Sequence, residues 1–272
     1  MGDLVQFVLG FVFAVVVFLP VVYARQRRRR RCARRRSETQ GRQIEELSKL
    51  TGGLAHEIKN PLSTIKINLQ LIGEDAASGR AENQRWFRKI EVVRKETERL
   101  EQILEDFLRF IGKPELKLDV VDVNEVVGEM IDFYSPQAHA HNIALRRGLA
   151  VKSLLCRVDS DMLKQVVLNL FINAQQAMPD GGELIVRTDA QEDDAVIEIS
   201  DTGPGISPQK LDKIFDAYYT TRPGGSGLGL PTARKIIEAH GGSIDADSQP
   251  GKGTSFTIRL PVETKRGCAC EQ

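Results

Sequence analysis

With 272 residues, 41% of them hydrophobic and 28% charged, the chain is neither disordered nor fibrous, and it has room for one or two globular domains. The net charge of +1 conceals an asymmetry: residues 25–36 hold nine arginines and no acid, and setting those nine aside from the 38 basic residues leaves 29 against 37 acidic ones. An acidic body argues against general nucleic-acid binding. The four cysteines, Cys32, Cys156, Cys268 and Cys270, form neither a zinc pattern nor a disulfide framework. They suit a reducing cytosolic compartment, with Cys268 and Cys270 on a solvated tail.

Residues 4–24 carry no charge, and Gln6 is their one strongly polar member. At 1.5 Å per residue such a helix spans roughly 30 Å, the thickness of the hydrocarbon core. Arginines follow at once, so the positive-inside rule predicts a single-pass anchor with the remaining body in the cytoplasm. A signal peptide would carry its charge before the apolar run. Residues 1–3 are too few for an external sensor. The arginine block of residues 25–36 is expected to hold anionic lipid, and residues 25–43 form a basic juxtamembrane segment and connector.

Two amphipathic helices come next. Ile44, Leu47, Leu50, Leu54, Ile58, Leu62, Ile65, Leu69 and Ile72 recur at steps of three and four, which predicts a helix from about 44 to 72. His56 lies off that stripe and should face water, with Asn60 one turn on. Pro61 has no N–H to give the carbonyl of Glu57, so a bend is expected there. Residues 73–83, with Gly73 and Gly79, read as the turn. A second helix is predicted over 84–111. Two antiparallel helices cannot bury a shared apolar face alone, so pairing with a second copy into a four-helix bundle is expected. Gly112-Lys113-Pro114 ends the second helix. The domain boundaries are therefore 44–112 for the hairpin, 113–262 for the second domain and 263–272 for a free tail.

From Leu116 the pattern turns to short strands between helices, an α+β sandwich. Strands are predicted over 117–121, 143–149, 154–158, 183–189, 195–200, 243–247 and 254–260. Asn124 is the expected cap of a helix over 125–134. In the helix predicted over 161–178, Leu163, Val166, Val167, Leu170, Ala174 and Ala177 make the core stripe. Beside it runs a stripe of amides: Gln165, Asn169, Asn173 and Gln176. Amides offer both acceptors and donors, which suits a magnesium ion together with phosphate oxygens. Ile197, Ile199 and Asp201 should share the inner side of their strand. A carboxylate there needs a donor, such as the exocyclic amine of adenine. Gly203 and Gly205 would let backbone approach the base. Gly225, Gly227 and Gly229 precede a helix opened by Pro231, an anion site at a helix N-terminus and a candidate lid.

These stretches together resemble the sensor histidine kinases of bacterial two-component systems, most closely the nitrogen-regulation-like branch. His56–Leu62 is similar to the phosphoacceptor box and Asn169–Ala177 to the N box. Asp201–Ile206 resembles the first glycine box, Phe215–Thr221 the F box and Gly225–Leu230 the second glycine box. The order and spacing fit over about residues 44–262. The resemblance implies a Bergerat-type ATP-binding sandwich in an enzyme of the bacterial inner membrane. His56 would take the γ-phosphoryl group of ATP and pass it to an aspartate on a response-regulator receiver domain. Glu57 would act as the base beside His56, and Asn60 would place water for phosphatase action on the regulator. Asn173 would hold Mg2+ with Asn169 in support, and Asp201 would read adenine. Gly203, Gly205, Thr220, Thr221, Arg222, Gly225, Gly227, Leu228 and Gly229 would line the nucleotide. Two departures stand out. Ala217 replaces a frequent proline, and Gln176 stands where some members carry a basic residue, which leaves phosphate contacts to another side chain such as Arg222. An ATP-binding scaffold without phosphotransfer, and another ATPase on the same sandwich, are the competing readings. The second lacks the hairpin with its histidine box.

Overall fold

The computed structural model describes residues 50–76, 83–112, 115–221 and 225–263. The predicted span at 4–24, the arginine block, the connector, Arg222 and residues 264–272 lie outside the described residues. Among the described residues no helix is long and apolar enough to cross a membrane. Two compact units divide the chain, Met1–His56 and Glu57–Gln272. All described elements except the first turns of helix α1 belong to the second.

Helix α1 covers residues 50–76 and runs through Gly73, where the sequence suggested a turn. One glycine costs a helix only about 1 kcal/mol relative to alanine. The Gln70 amide, donating to the Glu74 carboxylate at 2.9 Å, bridges that position. Helix α2 covers Asn83–Ile111. Lys89 donates to the Asp75 carboxylate and to the Leu71 carbonyl, while Arg99 stands 3.6 Å from Glu57. Low numbers on α1 thus face high numbers on α2, as an antiparallel hairpin requires. Ile103 and Phe107 are buried. Leu62, Leu69, Phe87, Leu104 and Leu108 remain exposed, Phe87 by 72%.

The sandwich begins with β1 (Asp119–Asp122) and α3 (Val123–Ala140). The cap of α3 is Asp122, not Asn124: its carboxylate accepts from the Asn124 N–H at 2.9 Å, the Leu154 N–H and the Ser153 hydroxyl. Asn124 is spent elsewhere, accepting from Thr188 and donating to the Ala150 and Lys152 carbonyls. Helix α3 runs past Tyr134 and through Pro136 because Tyr134 and Ala138 are both buried. The Tyr134 hydroxyl donates to Gln175, and its ring packs on Phe171 at 5.3 Å.

Next come β2 (Ile143–Gly148), β3 (Leu155–Val158), α4 (Ser160–Ala177), β4 (Gly182–Gln191) and β5 (Asp194–Asp201). The short α5 (Pro208–Leu211), α6 (Gly229–Ala239), β6 (Ser243–Gln249) and β7 (Gly253–Pro261) complete the fold. Strands β1 and β3 pair antiparallel; the other five form a sheet ordered β2-β4-β5-β7-β6, with only the β2–β4 pair parallel. Helices α3, α4 and α6 pack in that order and cover β2, β5 and β6. Asp159 caps α4, accepting from Met162 N–H at 3.1 Å and from Lys117 N–H at 2.9 Å. Its own N–H donates to Nε2 of the buried His240. The Nδ1 of His240 must then donate to the Ile236 carbonyl at 2.7 Å, which fixes a neutral tautomer. Glu263, expected to start a free tail, gives its N–H to the Leu155 carbonyl.

Candidate functional site

A cavity of about 740 Å³ opens where α4, the end of β5 and the start of α6 meet. The amide stripe of α4 forms one wall: Gln165, Asn169, Asn173 and Gln176 all line it. The opposite stripe of the same helix explains why they face that way. Leu163, Val166, Val167, Leu170 and Ala174 are buried against the sheet, and a helix that buries one face presents the other.

Asp201 forms the floor. It is 8% exposed and shares the inner face of β5 with Ile197 and Ile199, which are fully buried. The Gly203 N–H donates to Asp201 Oδ1 at 2.9 Å. Gly203 is absent from the cavity wall: a Cβ there would stand 2.9 Å from that oxygen and 3.1 Å from the Ala177 carbonyl. It shapes the turn under Asp201 and does not touch the cavity. Gly253, with φ at +97°, lets β7 pass so close that a Cβ would lie 1.8 Å from the Asp201 carbonyl oxygen. Thr254 and Phe256 of β7 thereby reach the cavity.

The third wall is the glycine-rich loop. Gly227 has φ at +63°, and its carbonyl accepts from the Tyr218 N–H at 3.1 Å. Leu228 is buried and anchors the loop. Its carbonyl takes both the N–H and the hydroxyl of Thr232. Gly229, the first residue of α6, has nothing within 4 Å of where a Cβ would stand. The first N–H groups of a helix have no acceptor within the helix, and this helix start lines the cavity beside the amide stripe, an arrangement that suits a phosphate. The α6 helix begins at Gly229, two residues before Pro231.

Of the expected nucleotide contacts, Asn169, Asn173, Asp201, Gly205, Thr220, Thr221, Gly225, Gly227, Leu228 and Gly229 line this one cavity. His56 and Asn60 are exposed residues of α1. Glu57 is half-buried beside Arg99. The Tyr218 hydroxyl is buried without a hydrogen-bond partner. Burial first, and the Glu57 carboxylate second, raise its pKa above the ordinary phenol value.

One wall was not expected from the sequence. Arg99, Gln102, Asp106 and Arg109 of α2 also line the cavity. Their spacing of three, four and three was visible, but a charged stripe on an amphipathic helix normally marks a solvated face. Among the described residues no cluster of three or more His, Cys, Asp or Glu side chains could hold a metal ion.

Residues 46–111 match the His Kinase A (phospho-acceptor) domain, and residues 158–264 match the Histidine kinase-, DNA gyrase B-, and HSP90-like ATPase family. The chain belongs to the sensor histidine kinases. The chain is 37% identical over 220 residues to sensor histidine kinase ZraS of Escherichia coli (strain K12), covering 81% of this chain and 46% of ZraS. It is 32% identical over 249 residues to sporulation kinase D of Bacillus subtilis (strain 168), covering 91% of this chain and 48% of that protein. It thus spans about half the length of these relatives. The crystal structure of histidine kinase ThkA in complex with response regulator protein TrrA superposes with a TM-score of 0.69 at 26% identity, over 81% of this chain and 63% of that one. The phospho-acceptor match lies over α1 and α2, and the ATPase match over the sandwich from the last residue of β3 onward.

Proposed function

We propose that this kinase transfers the γ-phosphoryl group of ATP to His56 and then to an aspartate on the receiver domain of a response regulator. The observation that carries the reading is the cavity: a buried carboxylate on its floor, an amide stripe along one wall and the start of a helix along another. Such a cavity suits adenine, a metal-bound triphosphate and terminal phosphate oxygens in turn. In the transfer, a lone pair of the His56 imidazole forms the N–P bond. The P–O bond to the β-phosphate breaks and its electron pair leaves on ADP. Glu57 takes the proton from the other ring nitrogen. Phosphoryl transfer asks mainly for in-line placement and charge stabilisation, which a rigid cavity supplies.

Asn173, supported by Asn169, would hold Mg2+, whose charge offsets that of the phosphates. Asp201 would accept from the adenine amine, its Oδ1 being held by the Gly203 N–H. Asn60 would place a water for dephosphorylation of the regulator. The exposed apolar stripe of Leu62, Leu69, Phe87, Leu104 and Leu108 supports a homodimer closed as a four-helix bundle. Residues 4–24 would anchor the kinase in the bacterial inner membrane, with the arginine block on anionic lipid. Within the family, the boxes resemble the nitrogen-regulation-like branch most. The receiver-domain partner is supported by ThkA, which was solved with a response regulator.

The test is phosphorylation with labelled ATP and magnesium, read as acid-labile, base-stable phosphate. The native chain should label, and His56→Gln and Asn173→Ala should not. Label that survives His56→Gln would move the acceptor elsewhere. Absence of label in a native chain that binds ATP would favour a scaffold.

A further inference from the structure

Arg99 of α2 is a poorly satisfied charge. Its guanidinium stands 3.6 Å from Glu57 and 3.7 Å from Glu96, both beyond hydrogen-bonding distance. Its Nε is buried without a partner, as is the facing Oε2 of Glu96. A guanidinium carries five donors in a rigid fork, and leaving one of them buried and unmet is costly. Such a group calls for an acceptor that arrives later.

The place tells what arrives. Arg99 lines the same cavity as Asn169, Asn173 and the glycine-rich loop. Its neighbour Glu57 acts electrostatically on Tyr218, and the Tyr218 N–H is bonded to Gly227. Arg99 therefore belongs to the loop end of the cavity. The other basic residues on the wall are engaged or stand elsewhere. Arg109 pairs with Glu105 at 3.3 Å, and Lys210 sits on α5 just after the Asp201–Ile206 turn. Gln176 is neutral and leaves the amide stripe without a cation of its own.

We propose that Arg99 is a γ-phosphate-binding residue supplied by the hairpin, exchanging its loose pairing with Glu57 and Glu96 for a bidentate pair on the terminal phosphate. This rests on the reading of the cavity as an ATP site. The exchange makes α2 a sensor of the third phosphate, because ADP offers nothing at that distance. It also releases the Glu57 carboxylate from its cation at the moment when a base is needed.

The experiment is calorimetric titration of the full chain in detergent with magnesium, using ADP and the β,γ-imido analogue of ATP, so that no phosphoryl group is consumed. Arg99→Gln should weaken the imido analogue at least tenfold, equal to about 1.4 kcal/mol, while ADP stays within twofold. Arg99→Lys should recover part of the loss, since a point charge replaces the fork. Retained ADP binding shows that the variant is folded. Equal losses for both nucleotides, or no loss for the analogue, would overturn the proposal while leaving the ATP site standing. A native chain that binds neither nucleotide would overturn the cavity reading itself.

Discussion

The Ser226 hydroxyl donates to the Asp106 carboxylate at 2.7 Å, tying the glycine-rich loop to α2 across 120 residues of chain. A second tie lies one helix further on. Lys235 of α6 donates to the Phe110 and Gly112 carbonyls at 2.6 and 2.8 Å, and so caps the C-terminal end of α2. The loop that would wrap the phosphates and the helix that carries them are both fastened to the end of the hairpin. A cation on unpaired C-terminal carbonyls is favourable for the helix dipole as well.

Ser226→Ala should therefore loosen the loop without unfolding the domain. One partly buried hydrogen bond to a charge contributes on the order of 1.5–3 kcal/mol at most, and local opening is the cheaper response. Amide exchange at Gly225–Leu230 is expected to accelerate at least tenfold, with a melting temperature within a few degrees of native. Lys235→Met should accelerate exchange in the last turn of α2 instead. Unchanged exchange at both places would mean that the two ties carry no load.

The boxes and most strands were legible in the sequence because their periods and turn residues agree with the fold. Asp201 was placed correctly by alternation alone, and the amide stripe by its offset from Leu163, Val166 and Leu170. What was not legible depends on contacts far apart in sequence. Asp122 outcompetes Asn124 as a cap because Ser153 and Leu154 converge on it. Tyr134 carries α3 past its expected end because Gln175 and Phe171 receive it. The wall made by Arg99, Asp106 and Arg109 needs the tertiary placement of α2, which no local pattern encodes.

Acid sensitivity should come from the two capping carboxylates. For Asp122, burial pushes the pKa up, but the Ser153 hydroxyl and the Leu154 and Asn124 N–H groups together hold it below the ordinary value of 3.8. For Asp159, burial likewise opposes the Lys117, Met162 and Asp161 N–H groups, which win. A depressed carboxylate stabilises the fold above its unfolded pKa. That contribution is lost as pH falls from about 4 through the lower folded value. Asp122→Ala should cost about 1 kcal/mol at pH 7, and its deficit against native should shrink below pH 4. Denaturant melts at pH 7 and pH 3 check this; a deficit that is constant across pH would exclude the linkage.

Asp201 and Gly253 separate binding from folding. Asp201→Asn keeps the volume and the Gly203 contact, but its amide offers the adenine amine a donor where an acceptor is needed. ADP affinity is expected to fall by tenfold or more with the melting temperature little changed. Gly253→Ala forces a Cβ into the Asp201 carbonyl and asks alanine for φ at +97°. It should destabilise the sandwich by several kcal/mol, in the range of mutations that cannot relax. Calorimetric melting and nucleotide titration of the two variants should therefore show opposite patterns.

The exposed stripe of the hairpin fixes the last prediction. Phe87, Leu104 and Leu108 are 72%, 48% and 60% exposed, on a helix that also buries Ile103 and Phe107. Burying a leucine side chain contributes roughly 1.5–3 kcal/mol, and a dimer buries each position twice. Leu108→Glu would place two carboxylates against apolar neighbours across the two-fold axis, each costing more than the leucine gained. Sedimentation of the native chain should show a dimer at micromolar concentration, and Leu108→Glu should shift it to monomer with the sandwich still folded. Nucleotide binding should survive in that monomer, because Leu108 is not part of the cavity wall. A native chain that sediments as a monomer would remove the bundle from the proposed function while leaving the ATP site intact.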